Sequence, residues 1–425
     1  MPVRAAVDLQ TYRERREAFF ARYAALWPGT LPDPFDLLDL YPLPRAEVAA
    51  ITQAASAIAL IYKRTAALLR TVPDKALLQM GLPPETLQLA LSQTHGMPDT
   101  VIGRFDLVKT TSGYKLLEFN ADVPGMLIET FAINAKACEE EGRVDPNRDG
   151  EPMLAAALAQ ALQAGLAYVG KRQDEPALVV FTSIERSNRE RDIQLYLMNL
   201  LARTDNVRKQ YAPVESLRVN EQGLCDPAGH PIDILYRSYP LQYLQRNLAY
   251  ATSDGSGAMH VDHLSHLVAE HRLALVNPPS AFLLEGKAVQ VVIWGLFESG
   301  MYFDEAERAL IARHLLPTYL DPVFEDERYV SKPVYGSEGN TIAIIDPELG
   351  TLTNSSGQTY AEQPMVYQQY TELPRVELMT EDGPRRLQVL TSCFLIADQP
   401  VGICLRAGHE ITDASWWFLP VCVAD

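Results

Sequence analysis

The chain has 425 residues, 47% hydrophobic and 21% charged, which excludes a mainly disordered protein and, at ~150 residues per domain, predicts about three domains or lobes. Its 24 glycines follow no Gly-X-Y period, so a collagen-like rod is excluded too. Lys plus Arg number 37 against 54 Asp plus Glu, a net charge of −17; such a surface repels phosphate backbones and argues against general nucleic-acid binding, but not against a local basic pocket for a small anion.

Residues 1–95 read as helical. Leu9 to Trp27 is rich in Ala, Arg, Glu and aromatics, and Val48, Ile51, Ala55, Ile58, Ala59, Tyr62 and Ala66 recur at helical spacing. The most apolar part, Ala49 to Tyr62, is broken by Thr52, Gln53 and Ser56 and falls short of the ~18 apolar residues of a membrane span. The N-terminal stretch through Phe20 lacks the apolar core of a signal peptide. Pro83-Pro84-Glu85 opens a further short helix. This segment shows no chemistry and is expected to pack and to support a lid. Cysteines stand at 138, 225, 393, 404 and 422, odd in number, widely spaced and without CxxC. Neither a disulfide framework nor a structural zinc site is expected, and the setting is the cytoplasm, away from membranes.

Near residue 100 the pattern becomes two-residue alternation, in TVIGRFDLVKT and GYKLLEFNA. With Thr111-Ser112-Gly113 as a three-residue hairpin loop, Asp106 faces Glu118 and Arg104 faces Asn120, so these four project to one side. Phe105, Leu107, Leu117 and Phe119 project to the other. A two-residue loop would slip the register and place Asp106 opposite Phe119, destroying both faces. Two opposed carboxylates repel. A divalent cation relieves this, and Mg²⁺ takes oxygen ligands completed by phosphate and water, so a metal–nucleotide site is one reading. A polar solvent face with an Arg–carboxylate pair is the other.

A helical run is expected over 126–140, a surface loop over 139–151, and a helix over 152–169. Then come a strand at 177–182, a helix at 191–201 and a strand at 232–236, the alternation of an α/β lobe. Residues 252–258 read as a loop or boundary. The remainder mixes helices (287–298, 304–316) with strands (328–334, 341–346, 364–370, 388–397, 401–407). Three segments follow: 1–95, 96–258 and 259–425.

Three loci in this last part can bind phosphate or a base. Lys332 precedes a turn with Gly336 and Gly339, where backbone N–H groups can cradle oxyanions; a plain hairpin turn is the bland alternative. Lys287 sits at the start of an apolar helix, as either a phosphate contact or a surface lysine. The strand Val366 to Tyr370 could offer an edge to a base. Arg406 could clamp an anion or pair with Asp413. The histidines at 260, 263, 266 and 271 lack an HExxH signature and read as a polar helix face. No GxSxG elbow and no Ser-His-Asp or Cys-His arrangement occurs.

Together, Arg104-Phe-Asp106, Glu118-Phe-Asn120-Ala-Asp122-Val-Pro124, Asn277-Pro-Pro through Lys287 to Trp294, Leu316 to Asp321, Lys332-Pro333 with Gly336 to Gly339, Tyr367-Gln368 and Val401 to Arg406 resemble the glutathionylspermidine synthase family in its synthetase part. The resemblance runs over roughly 100–425, in the family's order. It implies a mixed α+β and α/β chain with a permuted ATP-grasp fold, an N-terminal helical segment and a pre-ATP-grasp-like lobe. It also implies ATP-dependent joining of a carboxylate to an amine through an acyl phosphate, with a glutathione-like acid and a polyamine as the expected pair. By position, Asp106, Glu118 and Asn120 resemble the Mg²⁺ ligands, and Arg104 and Arg406 the catalytic arginines. Lys287 and Lys332 resemble the phosphate lysines, Glu338 and Gly339 the flap, and Gln368, Gln369, Tyr370 and Thr371 the adenine hinge. Ser337 stands where the family's flap commonly carries Arg, and Glu185 to Asp192 matches the amine-receiving acidic segment loosely. The first cysteine is Cys138, so the family's N-terminal amidase is not expected. A nucleotide-binding protein without ligase activity is the alternative. A metallohydrolase is disfavoured, because it would need a second ligand set.

Overall fold

The computed structural model describes residues 8–24, 36–172, 174–241, 261–355, 357–412 and 415–424. The expected loop at 252–258, His260, Asp413 and the helical expectation for 25–27 lie outside them. Helix α1 (Leu9–Tyr23) starts at Asp8, whose carboxylate accepts the backbone N–H of Gln10 and Thr11 at 3.1 Å each. After a short strand β1 (Tyr41–Leu43), helix α2 (Arg45–Leu69) buries Ile51, Ile58, Ile61, Tyr62 and Leu69 on one stripe. Small helices α3 (Asp74–Gln79) and α4 (Leu87–Leu91) follow. The Tyr62 ring meets Phe119 edge-on at 5.0 Å and Phe105 at 6.0 Å. So α2 backs the hairpin β2 (Ile102–Thr110) and β3 (Gly113–Asn120).

The register of that hairpin corrects one expectation and keeps another. Thr110 pairs with Gly113 and Leu107 with Leu116, so the turn is the tighter two-residue one. Between Leu107 and Asp106 the register shifts, and Asp106 then faces Glu118 and Arg104 faces Asn120 as expected. The extra residue is Leu117, a β-bulge that restores the polar face after the tight turn has slipped it. Leu116 therefore takes the core position expected for Leu117, and Leu117 is only half-buried.

The chain continues through α5 (Asn134–Glu140) and α6 (Gly150–Tyr168). The segment between them is not simply a surface loop. Asn147 is buried, donates to the carbonyls of Thr130 and Ile403 and accepts the Ile403 N–H at 2.7 Å. Strand β4 (Ala177–Thr182) is buried at every residue, as a central parallel strand with both faces covered should be. Helix α7 (Asn188–Leu200), β5 (Val207–Tyr211), a small hairpin β6 (Arg218–Asn220) and β7 (Gly223–Cys225), β8 (Ile234–Arg237), α8 (Val261–Ala269) and β9 (Ala274–Val276) follow. Strands β5-β4-β8-β9 form one parallel sheet, the expected α/β lobe. His263 and His266 are exposed on α8, a polar helix face.

Helices α9 (Ser280–Glu285), α10 (Ala288–Ser299) and α11 (Glu305–His314) lead into a second sheet. Its order is β10-β14-β11-β12-β13, from β10 (Thr318–Tyr319), β11 (Tyr329–Pro333), β12 (Ala343–Asp346), β13 (Gly350–Asn354) and β14 (Met365–Gln369). The last strands are β15 (Arg375–Thr380), β16 (Gly383–Ile396), β17 (Gln399–Gly408), β18 (Trp417–Leu419) and β19 (Val421–Val423). Order β18-β17-β16-β2-β3 makes a third sheet, with β15 on β16, and β1 pairs with β19. Hydrogen bonding thus crosses the 96–258 and 259–425 segments, because β2 is paired with β16.

Two polar residues tie the hairpin to the parallel sheet. Asn277, just after β9, accepts the N–H groups of Val101 and Ile102 and donates to the carbonyls of Ile102, Ala121 and Asp122. Asp122 receives Arg237 of β8 at 2.9 and 2.5 Å, with both side chains nearly inaccessible. Removing one partner strands a buried charge, so Arg237→Met should cost about 3 kcal/mol of stability in urea unfolding. A change under about 1 kcal/mol would remove this pair from the structural account.

Candidate active site

The site's floor is the polar face of the third sheet. Asp106, only 1% exposed, accepts Arg104 Nε at 2.9 Å and Arg104 Nη2 at 3.1 Å. It also accepts Ser392 Oγ at 2.7 Å from β16, Asn120 Nδ2 at 3.0 Å from β3, and Arg406 from β17. Arg104 is further fixed by donating to the Gly125 carbonyl at 3.0 Å. Burial by itself would raise the Asp106 carboxyl, but Arg104 and Arg406 hold it far below the usual carboxylate range. Expected as a direct metal ligand, Asp106 in this conformation has its oxygens taken up by the two arginines, Asn120 and Ser392.

Glu118 is more open and lies 3.3 Å from Lys287 Nζ. Lys287 is the residue preceding α10, and its ammonium donates to the Gly336 carbonyl. Lys332, on β11, donates to Gln368 Oε1 at 2.7 Å and to the carbonyl of the bulged Leu117 at 3.3 Å. The bulge thereby presents a backbone acceptor to a cation in the cleft. Gln290, one turn into α10, donates to the same carbonyl and accepts from Gln368 Nε2 at 2.9 Å. Burial pushes the Lys332 ammonium down to about 8, with Glu118 opposing the shift and Lys287 adding to it.

This arrangement changes the part expected of Gln368. Its amide is 2% exposed and both ends are used, by Lys332 on one side and by Gln290 and Thr318 on the other. It positions Lys332 and does not present its amide to a base. Gln369 donates its amide to Glu327, and the Tyr370 hydroxyl donates to Glu410 at 2.6 Å.

Across from the floor lies the loop after β11. Gly339 has φ +66°, and a Cβ there would stand 2.7 Å from the Thr412 carbonyl oxygen, so only glycine fits. Glu338 has φ 54°, uncommon for a residue with a side chain. Ser337 shares a hydrogen bond with the Tyr360 hydroxyl at 3.0 Å. The α7 N-terminus completes this wall, with Ser187 capping the helix through the Glu190 N–H. Burial first, and then the negative charge of Glu338, raise the Glu190 carboxyl to about 7.

The candidates named from the sequence all open on one cleft of about 340 Å³: Arg104, Asp106, Glu118, Asn120, Lys287 and Lys332, then Glu338, Gly339, Gln368 to Thr371, and Arg406. Four cations stand around two carboxylates on its floor, a surplus of positive charge suited to a polyphosphate. Ser392, Gln290, Glu190 and Trp416 also line or support it. Only Glu190 had a sequence signal, inside the acidic stretch 185–192. The others depend on packing partners far away in the chain.

The donor chemistry fits Mg²⁺. Glu118 offers a carboxylate, and Asn120 spends its amide nitrogen on Asp106, which leaves its oxygen available to a cation. Among the described residues no group of three His, Cys, Asp or Glu is placed to hold a metal. No described helix is long and apolar enough to cross a membrane.

A family model described as glutathionylspermidine synthase preATP-grasp matches residues 38–424. A Haemophilus influenzae protein named "Putative acid--amine ligase" is 25% identical over 331 residues, which is 75% of this chain and 73% of that protein. The apo structure of a glutathione synthetase-like effector from Globodera pallida shares the fold with a TM-score of 0.58 at 13% identity, covering 99% of this chain and 98% of that one.

Proposed function

The chain belongs to the glutathionylspermidine synthase preATP-grasp family, and from that premise we propose that it is an ATP-dependent ligase joining a carboxylate to an amine on a permuted ATP-grasp fold. The observation that carries this reading is the convergence of Lys287, Lys332, Arg104 and Arg406 on the two carboxylates Asp106 and Glu118 in one cleft. A carboxylate oxygen of the acid attacks the γ-phosphorus and ADP leaves. The amine nitrogen then attacks the acyl carbon, phosphate leaves and the nitrogen loses a proton. Such chemistry needs placement and charge neutralisation and no side-chain nucleophile.

Lys287 and Lys332 hold the phosphates, and Arg104 and Arg406 orient the acid and offset charge on the transferring group. Glu118 and Asn120, joined by Asp106, would hold Mg²⁺, which would supply positive charge to offset that of the phosphates. Tyr370 and Thr371 border the base. The Glu338 and Glu190 wall is the acidic side, suited to a cationic amine, and a carboxyl near 7 can take the proton that the attacking nitrogen sheds. The substrate class is a glutathione-like peptide acid with an amine or polyamine, and the setting is cytoplasmic.

The test is ADP release from Mg·ATP over a panel of carboxylates and amines, including glutathione with and without spermidine. Release requiring both partners is the expected result. Measurable Mg·ATP binding without release for any pair would favour a nucleotide-binding protein without ligase activity, a reading to which Ser337 in the flap contributes.

A further inference from the structure

Asp106 carries more positive charge than it needs. Arg104 meets it with two nitrogens and has a further bond to Gly125. Arg406 reaches it only through Nη2, onto Oδ2, while Arg406 Nε is buried with no hydrogen-bond partner. Arg104 also repels it, and burial opposes its charge. Of the two arginines, Arg406 is the less firmly held. Its guanidinium lies 5.7 Å above the Trp416 ring, which carries Arg189 at 5.0 Å.

Resting on the nucleotide reading above, we propose that in the empty site Arg406 stands in for the metal. It neutralises Asp106 while the site is empty and is displaced from Oδ2, toward the cleft and its phosphates, when a divalent cation and nucleotide bind. Oδ2 accepts Arg104, Asn120 and Arg406 together, and a cation arriving there repels the guanidinium that is held through Nη2 alone, so metal binding favours release of Arg406, and nucleotide phosphates give it a new partner. Metal and nucleotide therefore assist each other's binding through Arg406. If Arg406 holds Asp106 in about nine-tenths of empty molecules, the apparent metal affinity is reduced about tenfold.

The experiment measures Mn²⁺ binding by electron paramagnetic resonance of the free ion, with and without ADP, on the full chain. Wild type should bind Mn²⁺ weakly alone and more tightly with ADP. Arg406→Met should bind Mn²⁺ alone about tenfold more tightly, with the assistance from ADP reduced, whereas Arg406→Lys should stay near wild type because it keeps the charge. Tryptophan emission, followed with Mg²⁺ and ADP, should change in wild type. It should change much less in Arg406→Met and in a Trp416→Phe control. Circular dichroism establishes that each variant is folded, and the lysine variant serves if the methionine one is not, by retaining the weak metal binding and the emission change. Equal Mn²⁺ affinity in wild type and Arg406→Met, or an emission change independent of Arg406, overturns the displacement alone. Absence of Mn²⁺ binding by wild type even with ADP overturns the nucleotide reading and this inference with it.

Discussion

Replacing Glu118 by glutamine should lower ATP turnover roughly a thousandfold while the protein stays folded, since the change removes the carboxylate that would hold the metal and that fixes Lys287. Glu118 is the more accessible of the two floor carboxylates and faces the cleft, with its side chain 28% exposed. Its ion pair with Lys287 contributes little to folding at that exposure, so the urea midpoint should move only slightly. The loss therefore falls on function, through a missing metal ligand and a Lys287 freed to swing away from the phosphates. Asp106→Asn provides the contrast. It strips the partner from two buried arginines, so it should reduce stability as well as turnover. ADP release and urea unfolding on both variants check this. Normal Mg²⁺-dependent turnover in Glu118→Gln would sink the site assignment.

Lys332→Met should weaken ATP binding by roughly a hundredfold, because a desolvated ammonium held against a phosphate is among the stronger polar contacts. The lysine is positioned from three directions, by Gln368, by the Leu117 carbonyl and by the strand that carries it. Burial lowers its pKa in the free protein to about 8, so the charged form that phosphate requires is present below that pH and is lost as pH rises through it. Calorimetry should therefore show ATP affinity of wild type falling on the alkaline side of about 8. Lys332→Met, already weak, should lack that limb, and Lys332→Arg should lose it because arginine stays charged. An affinity flat from neutral to alkaline pH in wild type, or unchanged in Lys332→Met, would count against a phosphate contact.

Much of this site is legible before any folding is considered. Alternation along Arg104, Asp106, Glu118 and Asn120 places them on one face, because a strand's side chains repeat every two residues. The lysines at 287 and 332 stand at a helix start and before a glycine turn, local signals that a surface lysine and a plain hairpin turn would give equally. What alternation does not reveal is the bulge at Leu117. A tight turn and a bulge cancel in register at the far end of the hairpin, so the right opposition of Asp106 and Glu118 was reached through the wrong loop. Gln368 illustrates a different limit. Its place beside a base is what the family resemblance implies, yet its amide turns to Lys332 and Gln290, from elements remote in sequence.

By itself, then, the sequence determined the polar face of the hairpin and the α/β lobe, because each follows from short-range periodicity, while Lys287, Lys332 and Arg406 were open between bland and functional readings until the family resemblance singled them out. Only the tertiary structure decided which charges meet. Arg406 and Ser392 reach Asp106 from strands nearly three hundred residues away, Arg237 closes on Asp122, and the Leu117 carbonyl receives Lys332. The physical reason is that burying a charge demands partners at hydrogen-bond distance, and those partners are supplied by sheet order and packing, which no local pattern encodes.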